Sequence, residues 1–245
     1  MKTRFSSPIA AIAFFVGFLA QAEEVRLYSE RHYDADKEVF SEFTDKTGIE
    51  VKVVKAGANE LIARLKSEKN SPQADLYITS DAASLTKASK AGLLAPLKSE
   101  LINAAVPQAL RGKQDTWAAF TMRGRILVYA KDRVKGQLPK SYQDLASPEY
   151  RGNLLIRSST SKYNRSLLAS IIAIQGKAKA IQWATGMKNN FARPPQGNDR
   201  DQVRAVAKGI ADYAIVNTYY LGLLKNGESQ EDRDAHAAVG VILPT

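Results

Sequence analysis

From residue 24 to residue 92 strand-like and helix-like segments alternate without a break, and this alternation narrows the possible folds more than any other feature. "EVRLYS" (24–29) is a short apolar strand. "DADKEVFSEFTDKTG" (34–48) is a helix with Asp34 near its start, Val39, Phe40 and Phe43 on one face, and Gly48 as its stop. "IEVKVVKA" (49–56) alternates as a strand does, and "NELIARLKSEKN" (59–70) is a helix capped by Asn59 with Leu61, Ile62 and Leu65 inward. A third strand, "ADLYITS" (74–80), leads into a helix over 81–92 capped by Asp81 and closed by Gly92. Strands joined in this β-α-β-α-β-α order need helical crossovers, which predicts a parallel sheet with helices on both faces.

The pattern changes after residue 116. "WAAFTMRGRILVYAK" (117–131) is a long extended run broken by Arg123-Gly124, and it reads as the crossover into a second lobe. A short helix and turn (141–152) precede the strand "NLLIR" (153–157). Helices follow over 161–176, 178–191 and 198–209, the last capped by Asn198. The apolar strand "ADYAIVN" then runs into Tyr219-Tyr220, and "VGVILPT" (239–245) ends the chain. The expected organisation is a first α/β lobe over 23–116, a second over 117–238, and the start of a return crossover strand at 239–245.

The N-terminus stands apart. Lys2 and Arg4 precede an apolar run from Ile9 to Leu19, which ends in Ala20-Gln21-Ala22. The run is too short for the roughly 20 residues a membrane span needs. Residues 1–22 therefore read as a signal peptide cleaved after Ala22, with a periplasmic mature chain. The sequence has no cysteine, so neither disulfides nor a lipid-bearing N-terminal Cys is expected. The formal charge of +10 falls to +8 without Lys2 and Arg4, and the lysines are mixed with acids along helices, as in "ARLKSEKN". With no basic block, and with export, nucleic acid is not an expected partner.

In open α/β sheets, ligands meet the carboxyl ends of strands. The first strand runs into "SERHYDAD", with His32 and Tyr33; "NLLIR" runs into "SSTSKYNRS", with Tyr163; "ADYAIVN" runs into Tyr219 and Tyr220. Neighbouring strand residues face opposite ways, but at a strand-to-helix corner two tyrosines can turn to one side. A phenol with a pKa near 10 is a poor ligand for most metals. A hard trivalent cation displaces its proton, and Fe3+ is the abundant example. Zinc would ask for Cys or more His, and calcium for clustered carboxylates. Three phenolates match Fe3+ and a fourth leaves one negative charge, for which Arg123 is the expected nearby charge partner. Tyr28, Tyr77, Tyr129 and Tyr213 lie inside strand runs and read as core or flanks, while Tyr142 and Tyr150 flank a turn.

With "RHY" and "NTYY", the chain resembles the periplasmic ferric-iron-binding proteins of ABC iron importers, in their tyrosine-rich class. The likeness extends through "ANELIARLKSE", "ADLYITSDAASL", "KAGLLAPL", "SYQDLASPEYRGNLLIR" and "KYNRSLLAS". It implies a two-lobe α/β fold of the type II periplasmic binding protein kind, with a hinged cleft closing on one Fe3+ and delivery to an inner-membrane ABC permease by a monomer. By motif match it implies His32, Tyr33, Tyr163, Tyr219 and Tyr220 as ligands and places Arg123 near the metal. Many members carry a Glu ligand where Ser80 stands, so no carboxylate ligand is carried over. Members also continue for roughly another hundred residues, which reads here as a C-terminally truncated chain with an incomplete first lobe.

Other classes compete. The same fold could hold an anion or a small organic solute, with Ser159, Thr160 and Ser161 at a helix N-terminus as the possible anion site. The shortened chain could be a non-functional remnant. There is no nucleophile elbow, P-loop or dinucleotide fingerprint, and His32 with Asp34 or Asp36 has no Ser or Cys placed beside it, so an enzyme is not expected.

Overall fold

The computed structural model describes residues 23–31 and 33–245. The expected signal peptide, residues 1–22, and His32 lie outside the described residues. The chain divides into two compact units between Ala119 and Phe120.

In the first unit, β1 (Glu24–Ser29) lies between β2 (Glu50–Lys55) and β3 (Leu76–Ile78), and both pairings are parallel, as the alternation requires. α1 (Ala35–Thr47), α2 (Ala58–Ser67) and α3 (Ala82–Lys90) make up the crossovers and the closing helix. The central strand carries the core: Leu27 and Tyr28 are buried with Leu61 and Ile62 of α2 and Ala88 of α3. The Tyr28 hydroxyl is satisfied by Glu68 at 2.8 Å. Asp81 caps α3 through Ser84 N, and Gly48 closes α1 in the left-handed conformation that glycine tolerates (φ 74°).

Asp34 stands at the start of α1, as read, and its carboxylate pairs with Lys37. One local expectation fails here. Asn59 is not the cap of α2: the helix starts at Ala58 behind Gly57, and the Asn59 side-chain carbonyl accepts from Lys87. Val39 and Phe43, on one face of α1, are 61% and 39% exposed, because no element among the described residues covers that face. α4 (Glu100–Ala105), capped by Ser99, was not anticipated.

The second unit holds a mixed sheet in the order β5-β6-β4-β7. Its strands are β4 (Arg125–Ala130), β5 (Leu154–Leu155), β6 (Tyr213–Asn217) and β7 (Val239–Ile242). β5 and β6 are parallel, while β4 runs antiparallel to both its neighbours. All five residues of β6 are buried. Alternation then assigns them to two apolar layers. Ala214 and Val216 join Ile126, Val128 and Ala130 against Val203 and Val206 of α7 (Asp199–Ala207), Leu224 of α8 (Thr218–Lys225) and Ala235 of α9 (Gln230–Ala238). Tyr213 and Ile215 join Leu127 and Leu154 against Leu167 and Ile171 of α5 (Lys162–Gln175) and Trp183 and Met187 of α6 (Lys177–Asn189). Each Val, Leu or Ile among them contributes about 1.5–3 kcal/mol on full burial. Helix α9 was not read from the sequence, because "QEDRDAHAA" is almost wholly polar and buries only Ala235.

One contact fixes a residue choice. Gly186 of α6 lies so near the turn at Ala146 that an added Cβ would stand 2.6 Å from the Ala146 carbonyl oxygen. Alanine favours a helix over glycine by about 1 kcal/mol, but overpacking backbone costs about 1–3 kcal/mol. Gly186→Ala is therefore expected to lower the urea midpoint, and an increase would show that the two segments move apart freely.

Because β4 is antiparallel to β6, the first residue of β4 pairs with the last of β6, Arg125 with Asn217. The start of one strand and the ends of two others thus share one edge of the sheet.

Candidate metal centre

That edge carries three of the residues singled out in the sequence. β5 is followed by a loop into α5, which places Tyr163 in the first helical turn, and Ser161 caps that helix by accepting from Tyr163 N. β6 passes directly into α8, so Tyr219 and Tyr220 sit in the first turn of a helix and not on the strand. Their rings lie 4.2 Å apart, tilted by 37°. The hydroxyls of Tyr163 and Tyr219 share a hydrogen bond of 3.1 Å across 56 residues of chain. Asn217 adds a longer contact to the Tyr219 oxygen, 3.5 Å from its side-chain nitrogen. All three tyrosines are half-buried.

Positive charge surrounds them. The Arg123 guanidinium stands 5.9 Å from the centre of the Tyr219 ring, and that of Arg157 stands 5.2 Å from the Tyr163 ring. Both are within cation–π range. The Arg123-Gly124 break is tied to α8 by Thr218 N donating to the Gly124 carbonyl at 3.0 Å.

The three phenols do not behave alike. Burial raises the pKa of Tyr163 far above 10, and the hydrogen bond to Tyr219 adds to it. Burial, with the same neighbour, pushes Tyr220 up to about 12. Burial opposes ionisation of Tyr219 too, but hydrogen bonds from Tyr163, Tyr220 and Asn217 and the charge of Arg123 outweigh it, so its pKa falls below 10. Linked in this way, the three phenols lose their protons as one interacting set.

Tyr33 belongs to the first unit, where it follows β1, with the Arg31 guanidinium 5.2 Å from its ring centre. Arg31 is itself paired with Asp36 at 2.8 Å. The hydroxyl of Ser80 donates to Glu30 at 3.0 Å. Of the candidate anion residues, Ser161 is engaged as a helix cap, while Ser159 and Thr160 are exposed.

Beneath the tyrosines lies a polar network that the sequence reading missed. Arg125, with a side chain 9% exposed, pairs with the fully buried Asp199 at 2.7 Å. Arg157 reaches the other Asp199 oxygen at 3.5 Å. A charged residue opening the buried run "RILVYA" was the available signal, together with an aspartate just after the Asn198 cap.

Among the described residues no group of three or more His, Cys, Asp or Glu is placed to hold a metal. A cavity of about 830 Å3 opens at the opposite ends of the same strands, lined among others by Arg133, Lys140, Asp144, Asn153 and Asp212. It includes none of the candidate residues. Among the described residues no helix is long and apolar enough to cross a membrane.

A family model described as bacterial extracellular solute-binding protein matches residues 71–244. Iron uptake protein A1 of Synechocystis is 41% identical over 238 residues, covering 97% of this chain and 65% of its own length. The major ferric iron-binding protein of Neisseria meningitidis is 30% identical over 225 residues, covering 90% and 66%. A Trichodesmium protein solved in complex with iron and citrate superposes with a TM-score of 0.85 at 42% identity, covering 90% of this chain and 70% of that one. The chain thus spans about 65% of the length of the Synechocystis relative.

Proposed function

The chain belongs to the bacterial extracellular solute-binding proteins, and from that membership we propose that it is a periplasmic Fe3+ carrier whose tyrosines hold the ion as phenolates. The observation that carries this reading is the meeting of Tyr163, Tyr219 and Tyr220 at adjacent strand ends, two hydroxyls 3.1 Å apart, with guanidinium groups over two of the rings. The names of the relatives support the same cargo. His32 and Tyr33 enter the proposal as further donors on their motif alone. Arg123 is proposed as the charge partner that balances surplus phenolate. The ion is cargo, to be handed by a monomeric carrier to an inner-membrane ABC permease, and no reaction is catalysed. Export by a cleaved signal over residues 1–22 belongs to the same reading.

Each part of the cluster has a task. Tyr219, with its pKa held below the ordinary phenol value, gives up its proton to an arriving cation most readily. The bound charge then lowers the cost of removing the protons of Tyr220 and Tyr163. Three phenolates neutralise the ion, and the arginines stay charged throughout, so they do not compete as ligands.

The test is a ferric titration of the purified chain, with iron supplied as a weak chelate and visible absorbance followed. A phenolate-to-iron band saturating at one iron per chain is expected. A chain that is folded by circular dichroism and stays colourless would refute the proposal. Proton displacement also fixes a pH dependence. Tyr163 and Tyr220, both raised, hold their protons at neutral pH. Affinity therefore rises with pH by about tenfold per unit for each proton displaced. These two protons set a lower bound of about a hundredfold per unit, to which any proton still on Tyr219 adds, and a pH-independent affinity would exclude phenolate ligation.

A further inference from the structure

The geometry points to Arg125 as the positioning residue of the tyrosine cluster, its one guanidinium setting the spacing between the donors of α5 and α8. This rests on the reading of those tyrosines as a metal site. Tyr163 and Tyr219 come from two helices that follow two different strands, and donors must be held to about 0.5 Å to serve one ion.

The start of α5 is held through Asn164, next to Tyr163. Its Nδ2 donates to the carbonyls of Arg157 (2.6 Å) and Ser158 (3.2 Å), and its Oδ1 accepts from Arg125 Nη2 at 2.7 Å. The start of α8 is held through Asn217, two residues before Tyr219. Its Oδ1 accepts from Arg125 Nη1 at 3.0 Å, and its backbone N–H donates to Asp199 at 2.8 Å. Arg125 is fixed in turn by Asp199 at 2.7 Å and by the Ile215 carbonyl at 3.2 Å. Asp199 opens α7, so residues from β4, β6, α5 and α7 converge on one planar fork.

A lysine cannot replace that fork. Guanidinium fixes the directions of its donors, whereas ammonium is a point charge on a flexible stem. A merely structural ion pair would tolerate Arg125→Lys with the tyrosines in place, because the charge is kept. A positioning residue would not.

Two readouts decide, one of them independent of iron. In the iron-free chain with ring-labelled tyrosine, a nuclear Overhauser contact between the Tyr163 and Tyr219 rings reports their spacing. In the iron-loaded chain, the position of the visible band and the ferric affinity report the donor geometry. Arg125→Lys is expected to fold, to lose the ring contact, to shift the band, and to weaken ferric affinity by about 10- to 100-fold, the usual effect of removing an outer-shell partner of a metal ligand. A folded variant that keeps the ring contact and the unshifted band overturns the inference. If Arg125→Lys does not fold, Asn164→Ala and Asn164→Asp take its place: alanine removes the acceptor for Arg125 along with the bonds to the Arg157 and Ser158 carbonyls, while aspartate keeps the acceptor and loses only those two bonds; loss of the ring contact in the alanine variant alone supports the inference, and any other outcome overturns it. If the unaltered chain takes up no iron, the carrier reading falls separately, and the ring contact alone decides the role of Arg125.

Discussion

A chain carrying Tyr219→Phe and Tyr220→Phe together is expected to fold and to remain colourless when ferric chelate is added. Phenylalanine keeps both rings, so the 4.2 Å stacking survives and only the oxygens go. The change removes the Tyr219 side of the 3.1 Å hydrogen bond, a loss of about 0.5–1.5 kcal/mol in stability. The loss in binding is far larger. Each phenolate on the ion is a charged, partly desolvated contact, and removing one such partner costs about 2–5 kcal/mol. Two of them together lower the affinity by about a thousandfold or more, since each 1.4 kcal/mol is tenfold. Tyr163→Phe alone should cost less, because the two paired phenols remain. Competition against a chelator of known affinity measures both variants and the unaltered chain on one scale. A double variant that still binds within about tenfold, on the same scale of 1.4 kcal/mol, would move the ion away from the corner of β6 and α8.

Asp199→Ala is expected to be the most damaging single change to the second unit. Asp199 is fully buried, and its partner Arg125 is 9% exposed. Burial already presses the Arg125 guanidinium towards its neutral form, and Asp199 opposes that pressure. Deleting only the carboxylate leaves a buried cation without its counter-charge, which costs about 3–5 kcal/mol. Against a total stability of about 5–15 kcal/mol for a domain, that is a large fraction. Urea denaturation followed by circular dichroism measures it. Asp199→Asn retains an acceptor for Asn217 N and Arg125 and should be milder. A cost below about 1 kcal/mol for the alanine variant would place Arg125 in the range of an exposed pair, in contact with water.

From β1 to α3 the elements of the first unit were legible because their patterns are local. Period-2 runs and an Asp cap at 81 need no knowledge of distant chain, and the predicted parallel pairing of β1, β2 and β3 follows from the crossovers. What escaped was decided by neighbours far away in sequence. The exposure of Val39 and Phe43 depends on what covers α1, not on the helix itself. Helix α9 has little apolar periodicity and is placed by packing Ala235 against α7 and α8. The same holds at the site. "NTYY" announced its tyrosines, and their turn into α8 followed from the end of a buried strand. Arg125 and Asp199 gave no comparable motif, because an ion pair 74 residues apart in sequence is a property of the folded sheet edge.

The separation has a kinetic meaning. The partners of Arg125 lie 39, 74 and 92 residues away along the chain, and closing such long loops is slow and entropically costly until the sheet is in place. The tyrosine cluster is therefore a product of completed folding, absent from any intermediate in which β4, β6 and α5 have not docked. An unfolded chain offers only scattered phenols of ordinary acidity. Appearance of the ferric band during refolding would accordingly lag behind helix formation, and its time course would record the docking of the last of these elements.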